Sequence, residues 1–126
     1  MDHKSKLQEY CSSLSSYKRW PTREVMVGVV AVGKKNPIRI QSMTTTDTMD
    51  TENTIKQSIR MIEAGCEIVR ITAPSIKEAE NLKFIREGIR KKGYDTPLVA
   101  DIHFTPNAAE VAARIVEKVR INPGNF

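Results

Sequence analysis

Short β-branched runs alternate with longer amphipathic stretches along most of the chain. A polar opening segment, residues 1–20, precedes this pattern and is predicted to be an extension of the folded domain, which we place at residues 21–126. Two Val-rich runs, broken by Gly28 and ended by Gly33, predict a small hairpin at about residues 23–33. Four further β-branched runs have the usual length of strands and predict them at Ile38–Met43, Glu67–Thr72, Leu98–His103 and Lys118–Asn122.

Three helical patterns separate the four predicted strands. The first is predicted to begin near Asp50 or Thr51 and to end at Gly65, because glycine commonly terminates helices. Its apolar residues recur at helical spacing and predict a buried face made of Ile55, Ile59 and Ile62.

The second and third helices carry clearer start signals. Ser75 and Glu78 have the spacing of a capping box, and Gly93 marks the end of the second helix. Thr105 followed by Pro106 opens the third helix. The predicted buried faces are Ala79, Leu82, Ile85 and Ile89 in the second helix, and Ala108, Val111, Ala112 and Ile115 in the third.

The order β-α-β-α-β-α-β predicts right-handed crossovers and a parallel sheet, either doubly wound or part of a (β/α)8 barrel of the TIM type. No GxGxxG or GxxxxGK[ST] sequence follows any predicted strand, which counts against the common nucleotide-binding doubly wound folds. Four strands make about the first half of an eight-stranded barrel, and the chain stops directly after a strand. We therefore expect it to be a fragment of a longer protein.

Polar side chains gather toward the carboxyl ends of the predicted strands. Residues two apart share a face of a strand, and the helices are expected to cover the apolar face, so the polar face would line a barrel interior. Barrels and open α/β sheets bind ligands at this end. The residues concerned are Arg70, Asp101, His103, Arg120 and Asn122.

The carboxyl ends of the strands would form the mouth of a barrel. Two arginines, an aspartate and a histidine there make a net positive site that is rich in donors for phosphate oxygens. A structural ion-pair network between Arg70, Asp101 and Arg120 would give the same pattern, and the sequence leaves both interpretations open.

Charge and composition narrow the class of partner. The chain has 126 residues, enough for one domain, and a net charge of +5, which favours an anionic partner. The lysines are scattered and aromatic residues are few, so we interpret the lysines as solvated positions and expect no nucleic-acid partner. No apolar run approaches the roughly 18 residues of a membrane span, and the opening residues carry no export signal. We therefore expect a cytoplasmic protein without a membrane partner.

The two cysteines predict neither a metal site nor a disulfide. Cys11 and Cys66 lack CxxC spacing and have no histidine cluster beside them. Cys66 follows Gly65 in an apolar run and is predicted to be a small buried residue.

Four segments resemble one enzyme family. They are PIRIQSMTTTDTMDT (37–51), CEIVRITAP (66–74), PLVADIHFTPNAA (97–109) and KVRINPGNF (118–126). Together they resemble the amino-terminal part of the GcpE/IspG family, the 4-hydroxy-3-methylbut-2-enyl diphosphate synthases of the methylerythritol phosphate route to isoprenoids, over about residues 17–126. The lead-in YKRWPTREVMVG resembles the large subclass of plants and some bacteria, although Trp20 stands where that subclass has a basic residue.

This resemblance implies an oxidoreductase built on a (β/α)8 barrel that binds 2-C-methyl-D-erythritol 2,4-cyclodiphosphate. It implies a [4Fe-4S] cluster held in a separate domain by three cysteines and a glutamate, electrons from ferredoxin or flavodoxin, and a homodimer. The motif matches place Arg70, Asp101, His103, Arg120 and Asn122 toward the substrate. Weaker additions from the first strand end are Gln41, Ser42 and Thr44. With two cysteines, the chain is expected to hold no cluster ligand, no catalytic residue and no activity alone.

Two other functions stay open at this point. One is a different phosphate-binding barrel enzyme resembling dihydropteroate synthases. The other is a basic nucleic-acid-binding module, which would show a steep salt dependence where a barrel mouth would show saturable binding of a diphosphate.

Overall fold

The computed structural model describes residues 13–124, so Cys11 and most of the predicted extension lie outside the described residues. Its helices and strands are β1 (Val25–Val27), β2 (Val30–Val32), β3 (Gln41–Met43), α1 (Thr51–Glu63), β4 (Ile68–Thr72), α2 (Ile76–Lys91), β5 (Leu98–Ile102), α3 (Pro106–Ala113) and β6 (Lys118–Ile121). Among these helices, none is long and apolar enough to cross a membrane.

Strands β3, β4, β5 and β6 form a parallel sheet in chain order, as predicted. One face of this sheet packs on all three helices through a continuous apolar core. A sheet in sequential order with its helices on one face is a segment of a (β/α)8 barrel, because a doubly wound sheet reverses its strand order and carries helices on both faces. The core residues on the strands include Val69, Ile71, Leu98, Ala100 and Ile102.

Helix α2 supplies the centre of that core. All four residues of its predicted apolar face are fully buried: Ala79, Leu82, Ile85 and Ile89. In α3 the two alanines Ala108 and Ala112 are fully buried, while Val111 and Ile115 are partly buried against the same core. Ile115 lies beyond the end of α3, which stops at Ala113.

The capping box predicted for α2 is wrong in its contacts. The Ser75 hydroxyl donates to the Glu78 carboxylate and makes no hydrogen bond to the first-turn amides of the helix. That hydrogen bond lowers the pKa of Glu78 below its ordinary value. The residue pair therefore sits at the predicted helix start, with the two side chains bonded to each other.

The first strand of the sheet is shorter than predicted. It begins at Gln41, and Ile38 and Ile40 are 75% and 58% exposed. The Ile40 carbonyl still accepts from the Glu67 and Ile68 amides, but the Ile40 amide donates to the Glu67 carboxylate instead of to a backbone carbonyl. Arg39 donates to the same carboxylate and to the Ala31 carbonyl, which turns this segment toward the hairpin.

The predicted hairpin is present as antiparallel β1 and β2, with Val25 opposite Val32. Gly28 and Gly33 both have positive φ, 57° and 87°, which suits the turn and the exit of the hairpin. A side chain at Gly28 would lie about 3.1–3.3 Å from Glu117 and Pro97, which precede β6 and β5. The hairpin therefore packs against the amino ends of these strands, which is the position of the floor of a barrel.

The Glu117 carboxylate links the amino ends of the strands to α2. Glu117 accepts hydrogen bonds from the Leu98 amide at 2.8 Å, from Arg90 at 2.9 Å and from Arg86 at 3.2 Å. Burial alone would raise the pKa of Glu117, but the Leu98 amide and the two guanidinium groups lower it below its ordinary value. We refer to Glu117, Arg86 and Arg90 as the floor cluster.

Helix α1 begins and ends where predicted, but the predicted residues are not its most buried ones. Asp50 caps it by accepting from the Asn53 amide, and Gly65 follows its last residues with φ 112°. The expected buried residues Ile55, Ile59 and Ile62 are only half-buried, whereas Thr54 and Ser58 are fully buried. The Thr54 hydroxyl bonds to the loop that precedes α1, at the Asp47 carbonyl and the Thr46 hydroxyl, while Ile55 and Ile62 pack against the edge of the core.

Candidate functional site

Asp101 is the centre of a charged cluster at the carboxyl ends of the strands. It lies in β5 opposite Thr72 of β4 and Arg120 of β6, and it is 1% exposed. Arg70 donates to one carboxylate oxygen through Nε at 3.0 Å and Nη2 at 2.6 Å, and Arg120 donates to the other through Nη1 at 3.0 Å. The two guanidinium groups therefore converge on one carboxylate from the two neighbouring strands.

His103 extends this cluster by one residue beyond β5. Its Nε2 lies 3.5 Å from the Asp101 carboxylate, on the oxygen that also accepts from Arg70. Its ring is 5.9 Å from the ring of Phe104, whose side chain is 67% exposed. The mouth therefore combines polar donors with one exposed aromatic ring.

The electrostatics of the cluster favour an anion. Burial alone would raise the pKa of Asp101, but the hydrogen bonds from Arg70 and Arg120 outweigh it and lower the pKa below its ordinary value. Two guanidinium groups facing one ionised carboxylate leave a net positive charge. Among residues 13–124, Nη1 of Arg70 and both Nε and Nη2 of Arg120 donate to no protein group, and both side chains are partly exposed.

The other residues predicted to face the substrate lie at different distances from the charged cluster. Asn122 follows β6, and its side-chain oxygen accepts from the Gly124 amide, which shapes the turn after that strand. Thr44 is buried, and its amide donates to the Arg70 carbonyl. Gln41 opens β3 opposite Ile68, at the amino end of the strand, and Ser42 pairs with Val69, whose side chain faces the helices. The structure thus gathers Arg70, Asp101, His103 and Arg120, and it does not bring Gln41 or Ser42 to them.

Sequence reasoning missed the side chains that hold the loop between β3 and α1. Gln57 of α1 and Asn81 of α2 both hydrogen-bond to this loop. A signal was present, because Thr54, Gln57 and Ser58 place polar groups at helical spacing directly after a threonine-rich segment.

The described residues offer no metal site, since none of their histidine, cysteine and carboxylate side chains form a group of three or more suited to an ion. Cys66 is buried, as predicted, with its thiol donating to the Ile68 carbonyl at 2.9 Å. A groove of about 790 Å³ lies beside α1, between residues such as Asp50, Arg60 and Tyr94, and includes none of the charged cluster.

We expect acid to destabilise the protein through two carboxylates, Asp101 and Glu117. Both have a lowered pKa in the folded state, so their contribution to the unfolding free energy is complete above their ordinary pKa of about 4 and is lost as the pH falls below it. Urea denaturation between neutral pH and about pH 3 should show this loss, and Glu117→Gln should flatten the profile. An unfolding free energy independent of pH across that interval would contradict the prediction.

Comparison with known proteins shows that the chain is similar to one family model and to proteins that share one name. Residues 22–126 match the family model of the GcpE TIM-barrel domain. The chain is 58% identical over 113 residues to a 4-hydroxy-3-methylbut-2-en-1-yl diphosphate synthase (flavodoxin) of Phocaeicola vulgatus, over 90% of this chain and 18% of the relative. Proteins with the same name from Protochlamydia amoebophila and Chlorobaculum tepidum are 55% identical over 119 residues and 53% over 118, each over 94% of this chain and over 18% and 16% of the relative. The chain therefore spans less than a fifth of the length of these relatives.

Proposed function

The chain belongs to the GcpE family, and we propose that it forms the part of the family's TIM barrel that binds the diphosphate of 2-C-methyl-D-erythritol 2,4-cyclodiphosphate. The observation that carries this proposal is the charged cluster at the carboxyl ends of β4, β5 and β6. Three guanidinium nitrogens of Arg70 and Arg120 donate to no protein acceptor among the described residues. Planar guanidinium donors match phosphate oxygens in geometry and charge.

Asp101 orients the two arginines for diphosphate binding. It is buried, holds both guanidinium groups at hydrogen-bond distance and neutralises only one of their two charges. A diphosphate arriving at the mouth then meets donors that are already oriented, which lowers the entropic cost of binding. His103 and the Asn122 amide are further donors beside the same strands, and Thr44 supports Arg70 through its carbonyl.

In the complete protein, we propose that this site serves the reduction of the cyclic diphosphate to 4-hydroxy-3-methylbut-2-enyl diphosphate. The reaction takes up two electrons and two protons, opens the ring by breaking a C–O bond, and releases one oxygen as water. Flavodoxin appears in the names of the relatives and is the electron donor that we propose. The role of residues 13–124 is to bind and orient the diphosphate.

A [4Fe-4S] cluster would supply the electrons to the C–O bond, but the described residues do not fit one. Cys66 is buried against a backbone carbonyl, at the amino end of β4, and the described side chains include no group of three suitable ligands. We therefore assign no step of the reaction to a cluster held by these residues, and we propose that its ligands belong to another part of the protein.

The length of the relatives also supports one narrower proposal. The 113 aligned residues are 18% of the Phocaeicola vulgatus protein, so that relative is more than five times as long as the segment. This length supports membership of the large subclass with a domain inserted after the barrel. We also propose a homodimer, which sedimentation of the full-length protein would test.

The function can be tested on the full-length protein under anaerobic conditions. With reduced flavodoxin and 2-C-methyl-D-erythritol 2,4-cyclodiphosphate, we expect 4-hydroxy-3-methylbut-2-enyl diphosphate as the product in mass spectrometry. Calorimetry should show saturable binding of the substrate, with inorganic pyrophosphate competing for the same site. Absence of both binding and product in a protein with an intact cluster would refute the proposal.

A further inference from the structure

The loop between β3 and α1, residues 44–50, lies against the strand that carries Arg70. We call it the mouth loop. Its first residue, Thr44, donates its amide to the Arg70 carbonyl at 3.0 Å. Thr48 donates its hydroxyl to the Thr72 carbonyl at 2.5 Å. The mouth loop therefore contacts the carboxyl end of β4 on both sides of Ile71, within two residues of the guanidinium group that faces the site.

Gln57 of α1 holds the first half of the mouth loop as an acceptor. Its side-chain oxygen accepts from the Thr45 amide at 2.8 Å and the Thr46 amide at 3.2 Å, and its nitrogen donates to the Thr45 hydroxyl at 2.8 Å. Backbone amides can only donate, so these contacts fix which end of the Gln57 amide faces the loop.

Asn81 of α2 holds the second half of the mouth loop as a donor. Its side-chain nitrogen donates to the Thr48 carbonyl at 2.7 Å and to the Thr51 hydroxyl at 2.8 Å. A carbonyl can only accept, so the orientation of this amide is fixed as well. The two helices thus hold the backbone of one loop in opposite senses, since the Gln57 amide accepts from its N–H groups and the Asn81 amide donates to its carbonyl.

We propose that Gln57 and Asn81 are positioning residues for substrate binding. They hold the mouth loop, the loop fixes the end of β4, and the end of β4 aims Arg70 at the diphosphate. This inference rests on the proposed function. A displacement of about 1 Å in a binding group can cost as much as a hundredfold in activity, so releasing the loop should have a measurable effect.

The opposite use of the two amides gives a sharp test in the full-length enzyme. Gln57→Glu keeps the acceptor that the Thr45 and Thr46 amides need, and the KM for the cyclic diphosphate should stay within about twofold of that of the unmodified enzyme. Asn81→Asp is nearly the same shape but removes both donors, and we expect KM to rise about 10-fold with a smaller change in kcat. Gln57→Leu removes the acceptor and should raise KM by a similar factor. Gln57→Glu and Asn81→Asp each add one negative charge, so the added charge alone predicts the same KM for both variants.

A control variant and a second measurement separate positioning from general destabilisation. Ser58→Ala removes a buried hydrogen bond within α1, from the Ser58 hydroxyl to the Thr54 carbonyl, without touching the mouth loop. Its KM should not change. Hydrogen exchange of a peptide covering residues 43–50 should become faster in Gln57→Leu and Asn81→Asp, while a peptide covering 82–89 keeps its protection.

Three results would overturn the inference. One is an unchanged KM in both Gln57→Leu and Asn81→Asp. The second is an equal rise of KM in Ser58→Ala, and the third is a Gln57→Glu enzyme as impaired as Gln57→Leu. An unmodified enzyme that neither binds nor converts the cyclic diphosphate would instead refute the proposed function, and this inference with it.

Discussion

Asp101→Asn is expected to lower the unfolding free energy by about 3 kcal/mol, the low end of the range for breaking a buried ion pair. The carboxylate is 1% exposed and accepts from three N–H groups of two arginines. An asparagine offers one oxygen and directs an NH2 group at a guanidinium, so two positive charges would face each other without a counterion. The partial exposure of both arginines keeps the loss at the low end.

Urea denaturation of the full-length protein measures this effect, and Asp95→Asn is the matched control. Asp95 is exposed, so the same chemical change there should move the unfolding free energy by less than about 0.5 kcal/mol. Substrate binding should also be lost in Asp101→Asn, because nothing then holds the two guanidinium groups together. Equal stability of the two variants would show that the cluster is not coupled to the fold.

Arg70→Lys and Arg120→Lys are expected to lower kcat/KM for the cyclic diphosphate about 10- to 150-fold each, because a charged hydrogen bond is worth roughly 1.5–3 kcal/mol. Lysine keeps the charge but loses the planar fork. At Arg70 the fork bonds Asp101 through two nitrogens and leaves a third for a ligand. At Arg120 one nitrogen bonds Asp101 and two are left.

Arg86→Lys provides the control for both substitutions. Arg86 also pairs with a carboxylate, the partly buried Glu117, but in the floor cluster at the opposite end of the sheet. The Arg86→Lys variant should have a lower melting temperature and an unchanged kcat/KM. If Arg70→Lys and Arg120→Lys behave in the same way, their pairing with Asp101 is structural and the diphosphate-binding role is refuted.

The alternation of side chains along the strands was sufficient to predict the centre of the site. Arg70, Asp101 and Arg120 occupy the inward phase of neighbouring parallel strands, and parallel pairing brings equivalent phases to one face. The apolar face of α2 was predicted for a related reason, since all four residues pack into the one layer between helices and sheet. Both predictions depend on periodicity within a single element.

The features that sequence periodicity did not predict depend on contacts between distant segments. Ile38 and Ile40 have the pattern of a strand, but the Ile40 amide bonds to the Glu67 side chain, 27 residues away in the chain. In α1, the isoleucine spacing predicted the buried face, but Thr54 is the residue that is fully buried, with its hydroxyl bonded to the mouth loop, and Ile55 and Ile62 pack only partly buried against the core. Buried polar groups must find partners, and this requirement outweighed the apolar pattern.

The floor cluster has a consequence for how this family diverges in sequence. Glu117 with its two arginines and the Asp101 cluster have similar composition, but the Glu117 carboxylate is enclosed by the hairpin, α2 and the amino ends of the strands. A partly buried ion-pair set that only stabilises, such as this one, can be exchanged for packed hydrocarbon at little cost when all its members change together. Lineages should therefore be free to replace Arg86, Arg90 and Glu117 as a group, while Arg70, Asp101 and Arg120 should stay fixed under selection for the proposed diphosphate binding. Ancestral reconstruction would then find correlated substitutions at one end of the sheet and an unchanging set at the other.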